Sequence, residues 1–396
     1  MAILVLDNAN LWIGDGSTYK GHVVIDNGTI DRVGRGRYGG DLPTTDLVGA
    51  ALSPGMIDLM VLGGFDLSIM RDDQVQLARH MLKLGVTSMQ TCIGTLPWDG
   101  VRRVADGTRR AQAVGGVDAA RIIGLYPEGP YQHPDMTGGS LRDHALPASA
   151  YNVRKTIDEL GDVVTLINVS PGIDGDADAV RTFCQAGMVV TMAHSKAPAD
   201  RVQRCVGAGT CVLGHVWDNN SGLIGDSGVQ QPTIEHVALT DERVRTIHLI
   251  CDGTHVHPVL VRLVLRCRGV EAVCLVTDCN QKAGCADGTF TWDDGRTFYK
   301  EGGVCRTDQG WLAGSATLLP DDFRNFVKFT GIEPHVAIRT VSFNPAESLG
   351  MTDQFGVIAP GRAADLITWD DKLRVTRVWR AGHEIGDVSP FAEVRL

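Results

Sequence analysis

The sequence predicts an α/β fold: a TIM-type (β/α)8 barrel carrying a small β-sandwich domain built from both chain ends. Two patterns carry that expectation: short strands at the two ends, and alternating strand and helix signals between them. Residues 1–53 alternate apolar and polar positions between Gly and Asn-Gly turns, as in Gly21-His22-Val23-Val24-Ile25-Asp26-Asn27-Gly28. That is hairpin chemistry. The far end repeats it, with Gly356-Val357-Ile358-Ala359-Pro360-Gly361, then Ala364 to Trp369 and Val375 to Arg380. Residues 1–53 plus 355–396 are therefore expected to pair as one small β domain. Between them, over 54–354, β-branched runs alternate with longer helical patterns. Val163 to Val169, followed by a helix near 176–187, is one such βα unit. About eight candidate strands fit in this stretch, the number a closed barrel needs. With 396 residues the chain has room for both parts, since single barrels take about 250 residues.

Charge and composition exclude several function classes. A net charge of -10 and the lack of any basic run argue against a nucleic-acid partner. The N-terminus reaches Asp7 without a basic segment and a long apolar stretch, so it does not read as a signal peptide. No apolar run reaches membrane-spanning length. The ten cysteines contain no Cys-x-x-Cys pair, which suits reduced thiols packed in a cytoplasmic protein.

The chemistry gathers at strand ends. Glu128 follows Ile122 to Pro127, His194 follows Met188 to Ala193, and His215 follows Thr210 to Gly214. In a barrel these ends share one face. A Glu/His/His set with an open coordination position is a normal catalytic zinc environment. Taken singly, each His reads more readily as a hydrogen-bonded structural residue, and Glu-Gly-Pro as a turn. His255 and Asp278 also stand at or just beyond strand ends.

Pro127-Glu128-Gly129-Pro130-Tyr131, Ala193-His194-Ser195, Asp252-Gly253-Thr254-His255-Val256-His257-Pro258 and Thr277-Asp278 occur in the order of one family. The chain resembles the N-acetylglucosamine-6-phosphate deacetylases of the amidohydrolase superfamily, as a divergent member. Ser53 to Asp58, Leu312-Ala313-Gly314-Ser315, Asn344-Pro345-Ala346 and Gly361 to Leu366 extend the resemblance over almost the whole chain. It implies a hydrolase of carbon–nitrogen bonds that removes an acyl group from an N-acyl amino sugar or a related small molecule. It further implies one divalent metal ion per chain, Zn²⁺ by donor chemistry, held by Glu128, His194 and His215. Asp278 would act as general base and then acid, His255 would polarise the carbonyl, and the protein would be a homodimer. Asp58 and Asn168 are candidate hydrogen-bond supports of the site, His133 and His144 are loop residues, and His257 is structural.

Two departures stand out. Where the superfamily places a metal-binding His-x-His after Asp58, this chain has Met60, Val61 and Leu62, which argues for a single metal. Where the family grips the sugar phosphate with a His, an Asn and an Arg, the aligned residues are Ser140, Asp218 and Asp226, with Asn219 beside them. Bringing a like charge to about 4 Å costs about 4 kcal/mol at an effective dielectric of about 20, on the order of a thousandfold in affinity. The expected substrate is therefore unphosphorylated and neutral or cationic. If the alignment slips in this loop, Arg142 or His144 supplies the anion grip instead. The competing readings are N-acetylglucosamine-6-phosphate deacetylase itself, a cyclic amidohydrolase or deaminase, and a catalytically silent ligand-binding relative.

Overall fold

The computed structural model describes residues 3–71, 74–220, 223–224, 228–292, 295–386 and 388. Eight strands of the central stretch run parallel: β1 (Met56–Val61), β2 (Val86–Ile93), β3 (Arg121–Pro127), β4 (Leu166–Asn168), β5 (Val189–Met192), β6 (Val212–Leu213), β7 (Thr246–Leu249) and β8 (Val273–Leu275). β1, β2 and β3 pair in order, and so do β4 through β8. Parallel bridges at Leu125–Val164 and Val61–Cys279 link β3 to the segment before β4, and β1 to the segment after β8.

Each strand is followed by a helix: α1 (Gln74–Lys83), α2 (Trp98–Val114), α3 (Ala150–Leu160), α4 (Asp176–Gln185), α5 (Ala199–Ala208), α6 (Ile234–Thr240), α7 (Pro258–Arg268) and α8 (Leu319–Thr330). Local sequence starts several of them. Ser149 caps α3 by accepting from the Asn152 amide, 3.3 Å away. α4 carries Asp176 and Asp178 in its first turn, where the helix dipole favours acids. His257 caps α7 by accepting from the Val259 amide, and Pro258 opens that helix. The helices bury Leu77, Val104, Phe183, Val261 and Phe323 against the strands. β1 and β2 are buried along their whole length, as expected of parallel strands covered on both faces. On the other side of the strands, Ile57, Leu59, Met60, Cys92, Tyr126, Ile250 and Val276 pack together.

The chain ends meet in one eight-stranded sheet, in which Ala51–Pro54 pairs antiparallel with Leu366–Trp369. Its hairpin Thr18–Asp26/Thr29–Arg35 turns at Asn27 and Gly28, both at positive φ (48° and 82°). A two-residue turn of that kind matches the twist of the flanking strands. The sheet buries Leu6, Leu11, Val23, Ile25, Leu52 and Trp379.

One element was not foreseen. Between β8 and α8, Gly288–Thr291, Thr297–Glu301, Val304–Thr307 and Leu312–Ser315 form a four-stranded antiparallel sheet in sequence order. Its turn signals, Asp294-Gly295 and Gly302-Gly303, are visible in the chain.

Candidate metal and substrate site

Glu128 stands directly after β3, and His194 and His215 stand two residues after β5 and β6. All three side chains are buried, at no more than 7 % exposure. One ligand atom from each lies within 4.8 Å of the others. His215 Nε2 is 2.7 Å from Glu128 Oε1, His194 Nε2 is 3.2 Å from the same oxygen, and the two Nε2 atoms are 3.1 Å apart.

The other face of each ring fixes its tautomer. His194 Nδ1 lies 2.6 Å from the Met136 carbonyl and His215 Nδ1 lies 3.2 Å from the Asp218 carbonyl. A carbonyl only accepts, so each Nδ1 carries the hydrogen. In the neutral rings both Nε2 lone pairs then point at each other and at a carboxylate. Three acceptors converging on one buried point fit a cation. Without one, protons take its place. Burial alone would push the His215 pKa down, but the Glu128 charge and hydrogen bond outweigh it and lift it to about 10. Burial likewise pushes the Glu128 carboxyl up, and the two imidazoles hold it well below its usual range. A bound cation would displace those protons, which makes metal affinity rise with pH.

Asp278 follows β8 with φ at 51°, and His194 has φ at 53°. Such values are uncommon outside glycine and cluster at functional sites. The Asp278 backbone is held from two sides. Asp58 accepts from the Thr277 hydroxyl at 2.6 Å, and the Ser315 amide donates to the Asp278 carbonyl at 2.9 Å. Burial, then the Glu128 charge, raises the Asp278 carboxyl; a cation beside it would offset that repulsion. Asn168 donates to the Glu128 carbonyl at 3.1 Å, so both foreseen supports hold the frame of the site.

His255 is oriented by Asp252, an acid that the strand-end pattern does not mark. Asp252 Oδ2 lies 2.6 Å from His255 Nδ1, while its Oδ1 accepts from the Thr254 and His255 amides at 2.8 Å. Burial pushes the His255 pKa down, but the hydrogen bond and charge of Asp252 outweigh it and raise it. The Asp-Gly-x-His spacing was the available signal, since a first-position Asp readily closes a turn on the following amides.

One cavity collects these groups. Glu128, His194, His215, His255 and Asp278 line it, together with Ser140, Asp218 and Asn219. His144 stands exposed in the short turn Arg142–His144 and is not among the lining residues; it sits on the outer side of the loop, and Arg142 beside it is engaged with Asp135. Asp226 lies outside the described residues. Met60 is fully buried, whereas Leu62 lines the cavity. Thr95, Asn280, Trp292 and Arg296 are also part of the wall. None of these four was foreseen: Thr95 and Asn280 are neutral residues that the search for charged groups and imidazoles at strand ends passes over, and nothing local in the sequence says that the strands carrying Trp292 and Arg296 fold back over the strand ends.

Residues 216–385 match the model of the Amidohydrolase family. The chain is 31% identical over 338 residues to N-acetylgalactosamine-6-phosphate deacetylase of Escherichia coli O157:H7, covering 84% of this chain and 86% of that protein. It is 27% identical to N-acetylglucosamine-6-phosphate deacetylase of Vibrio furnissii, covering 85% and 84%. Among solved structures it is similar to N-acetyl-D-glucosamine-6-phosphate deacetylase of Mycobacterium smegmatis in complex with N-acetyl-D-glucosamine-6-phosphate, with TM-score 0.86 and 26% identity, covering 97% and 98%. The Pasteurella multocida deacetylase superposes with TM-score 0.88 at 24% identity, covering 97% and 99%.

Proposed function

The chain is a divergent member of the N-acetylglucosamine-6-phosphate deacetylase family of amidohydrolases, a hydrolase of carbon–nitrogen bonds, and from that premise we propose that it removes the acetyl group from an N-acetylated amino sugar. The observation that carries this reading is the meeting of the Glu128/His194/His215 cluster with Asp278 and His255 in one cavity. We read the parallel strands as a closed (β/α)8 barrel over 54–354, and the end sheet as a small β-sandwich domain of 1–53 and 355–396.

A divalent cation held by Glu128, His194 and His215, zinc by the mixed nitrogen and oxygen donors, would supply Lewis acidity at the amide and at its attacking water. Asp278 takes the proton of that water as its oxygen bonds to the acetyl carbon. The protonated His255, turned by Asp252, donates to the carbonyl oxygen and stabilises the charge that grows there. Asp278 then returns the proton to the sugar nitrogen as the carbon–nitrogen bond breaks, leaving acetate and an amine. The expectation of an unphosphorylated sugar rests, among the described residues, on Asp218 and on Ser140 standing where the family has a His, while the similar proteins are deacetylases of 6-phosphorylated sugars.

The test is metal content per chain alongside acetate release from N-acetylglucosamine, N-acetylgalactosamine and their 6-phosphates. One metal per chain and acetate release are expected, with both lost in His194→Ala and after chelation. Turnover that survives chelation and the substitution would refute the metal-assisted mechanism; release of ammonia instead of acetate would mark a deaminase.

A further inference from the structure

The cavity wall changes chemistry from one stretch to another. His194, His215, Asp218 and Asn219, which follow β5 and β6, offer it nitrogen and oxygen. A second stretch comes from the loops after β1 and β2, and among the described residues it presents no charged side chain. Leu62, Met70 and Leu96 line it, each half-buried. The two hydroxyls on this stretch are already engaged. Ser68 Oγ accepts from the Met70 amide at 3.2 Å, and Thr95 Oγ1 donates to the Gln132 side chain at 2.6 Å.

This apolar stretch adjoins the reacting groups. The Leu62 amide donates at 3.1 Å to the carbonyl of Cys279, the residue after Asp278. The Leu62 carbonyl accepts from the Ile69 amide at 3.2 Å, which brings Met70 back beside it. Leu96 follows Thr95, and a Cβ on Gly129, the residue after Glu128, would come within 2.4 Å of the Thr95 Cα. Leu62 and Leu96 therefore stand next to the backbone of Asp278 and of Glu128. Leu62 also occupies a place where the superfamily puts a metal-binding His, so that hydrocarbon replaces an imidazole there.

We propose that Leu62, Met70 and Leu96 form an acyl-chain subsite, through which the enzyme takes amino sugars N-acylated with propanoyl or butanoyl groups in preference to acetyl. The inference rests on the deacetylase reading of the same site. Half-buried Leu and Met side chains in a concave site leave hydrocarbon facing water until a ligand covers it. The hydroxyls of the sugar find partners on the polar stretch, so the amide lies with its sugar toward Asp218 and Asn219 and its acyl chain toward Leu62. The reverse placement would cost hydrogen bonds and leave the apolar surface wet. The bonds made and broken are those of deacetylation: the oxygen of water joins the acyl carbon, the carbon–nitrogen bond breaks, and a longer carboxylate leaves with the amine.

The test measures amine release from the N-acetyl, N-propanoyl and N-butanoyl forms of glucosamine, galactosamine and their 6-phosphates. In wild type, kcat/KM is expected to rise about fourfold for each added methylene in at least one of these series. Leu62→Asn keeps the size of the side chain but not its apolar character, and is expected to abolish the rise; Leu62→Met is expected to keep it. A fall at the first added methylene in every series overturns the proposal, and so does a rise that Leu62→Asn leaves unchanged. Calorimetric Kd values for the same compounds in an Asp278→Asn background give the dependence on chain length without turnover. Failure of wild type to release amine from any of the compounds would therefore count against the deacetylase reading, while a Kd that does not tighten with chain length would count against the acyl-chain subsite.

Discussion

The floor and the mouth of the cavity are built by different rules. At the floor, Glu128, His194, His215 and Asp278 each follow a parallel strand; backbone carbonyls hold the two imidazoles, the Asn168 side-chain amide donates to the Glu128 carbonyl, and the Ser315 amide donates to the Asp278 carbonyl. At the mouth, Ser140, Asp218, Asn219, Trp292 and Arg296 come from three unrelated loops, and they are half-buried or exposed. A floor fixed to strand ends keeps its geometry while the mouth varies, which separates the reaction from the choice of substrate.

The largest effect that tests this division is at Asp278. Asp278→Asn keeps the cation ligands but removes the proton acceptor, so kcat is expected to fall about 10²- to 10⁴-fold with metal content unchanged. Stopped acetate assays and metal analysis on the same sample decide it; a fall of less than tenfold would remove Asp278 from the reacting centre.

A smaller loss is expected one step behind the floor. Asp252→Asn should lower kcat roughly tenfold or more, because His255 loses the partner that orients it. The direction with pH is fixed. Asp252 raises the His255 pKa, so without that charge the ring loses its proton at lower pH, and the alkaline limb of the kcat profile moves down. An unmoved limb would show that His255 does not act as a protonated donor.

The smallest effect concerns the frame beneath the floor. Asp176 accepts from the Gly172 amide at 2.8 Å and from Arg201 at 2.9 Å. The loop it braces reaches the segment after His194, where the Ser195 hydroxyl donates to the Pro171 carbonyl at 2.7 Å. Burial pushes the Asp176 carboxyl up, but the Gly172 amide and Arg201 outweigh it and hold it below its usual range. A depressed folded-state pKa gives stability that is present above the unfolded value of about 3.9 and lost as pH falls through the folded one. Urea midpoints should therefore fall less steeply below about pH 4 in Asp176→Asn than in wild type. kcat at neutral pH should stay within about threefold, since catalysis does not use this group. A large kcat loss there would mean that floor and frame are not separable.

Much of the floor was legible in the sequence. Glu128, His194, His215 and Asp278 were marked by strand signals immediately before them, and the structure brings them to one cavity. His144 is exposed and does not line the cavity, since a loop residue's sequence neighbourhood does not say which way the loop turns. Asp252 was overlooked, although its turn spacing was readable. Trp292 and Arg296 were beyond reach: their hairpin signals give a local turn, not the direction in which the inserted sheet folds.

The sequence by itself determined the strand and helix alternation and which chemical groups end the strands, because backbone periodicity and turn chemistry act over a few residues. Only the tertiary structure decided that two backbone carbonyls set the imidazole tautomers and that the inserted strands bring Trp292 and Arg296 to the cavity wall. Those outcomes depend on contacts between segments tens of residues or more apart, such as Arg296 with Gly139 and His194 with Met136. Such contacts follow from how all the elements pack at once.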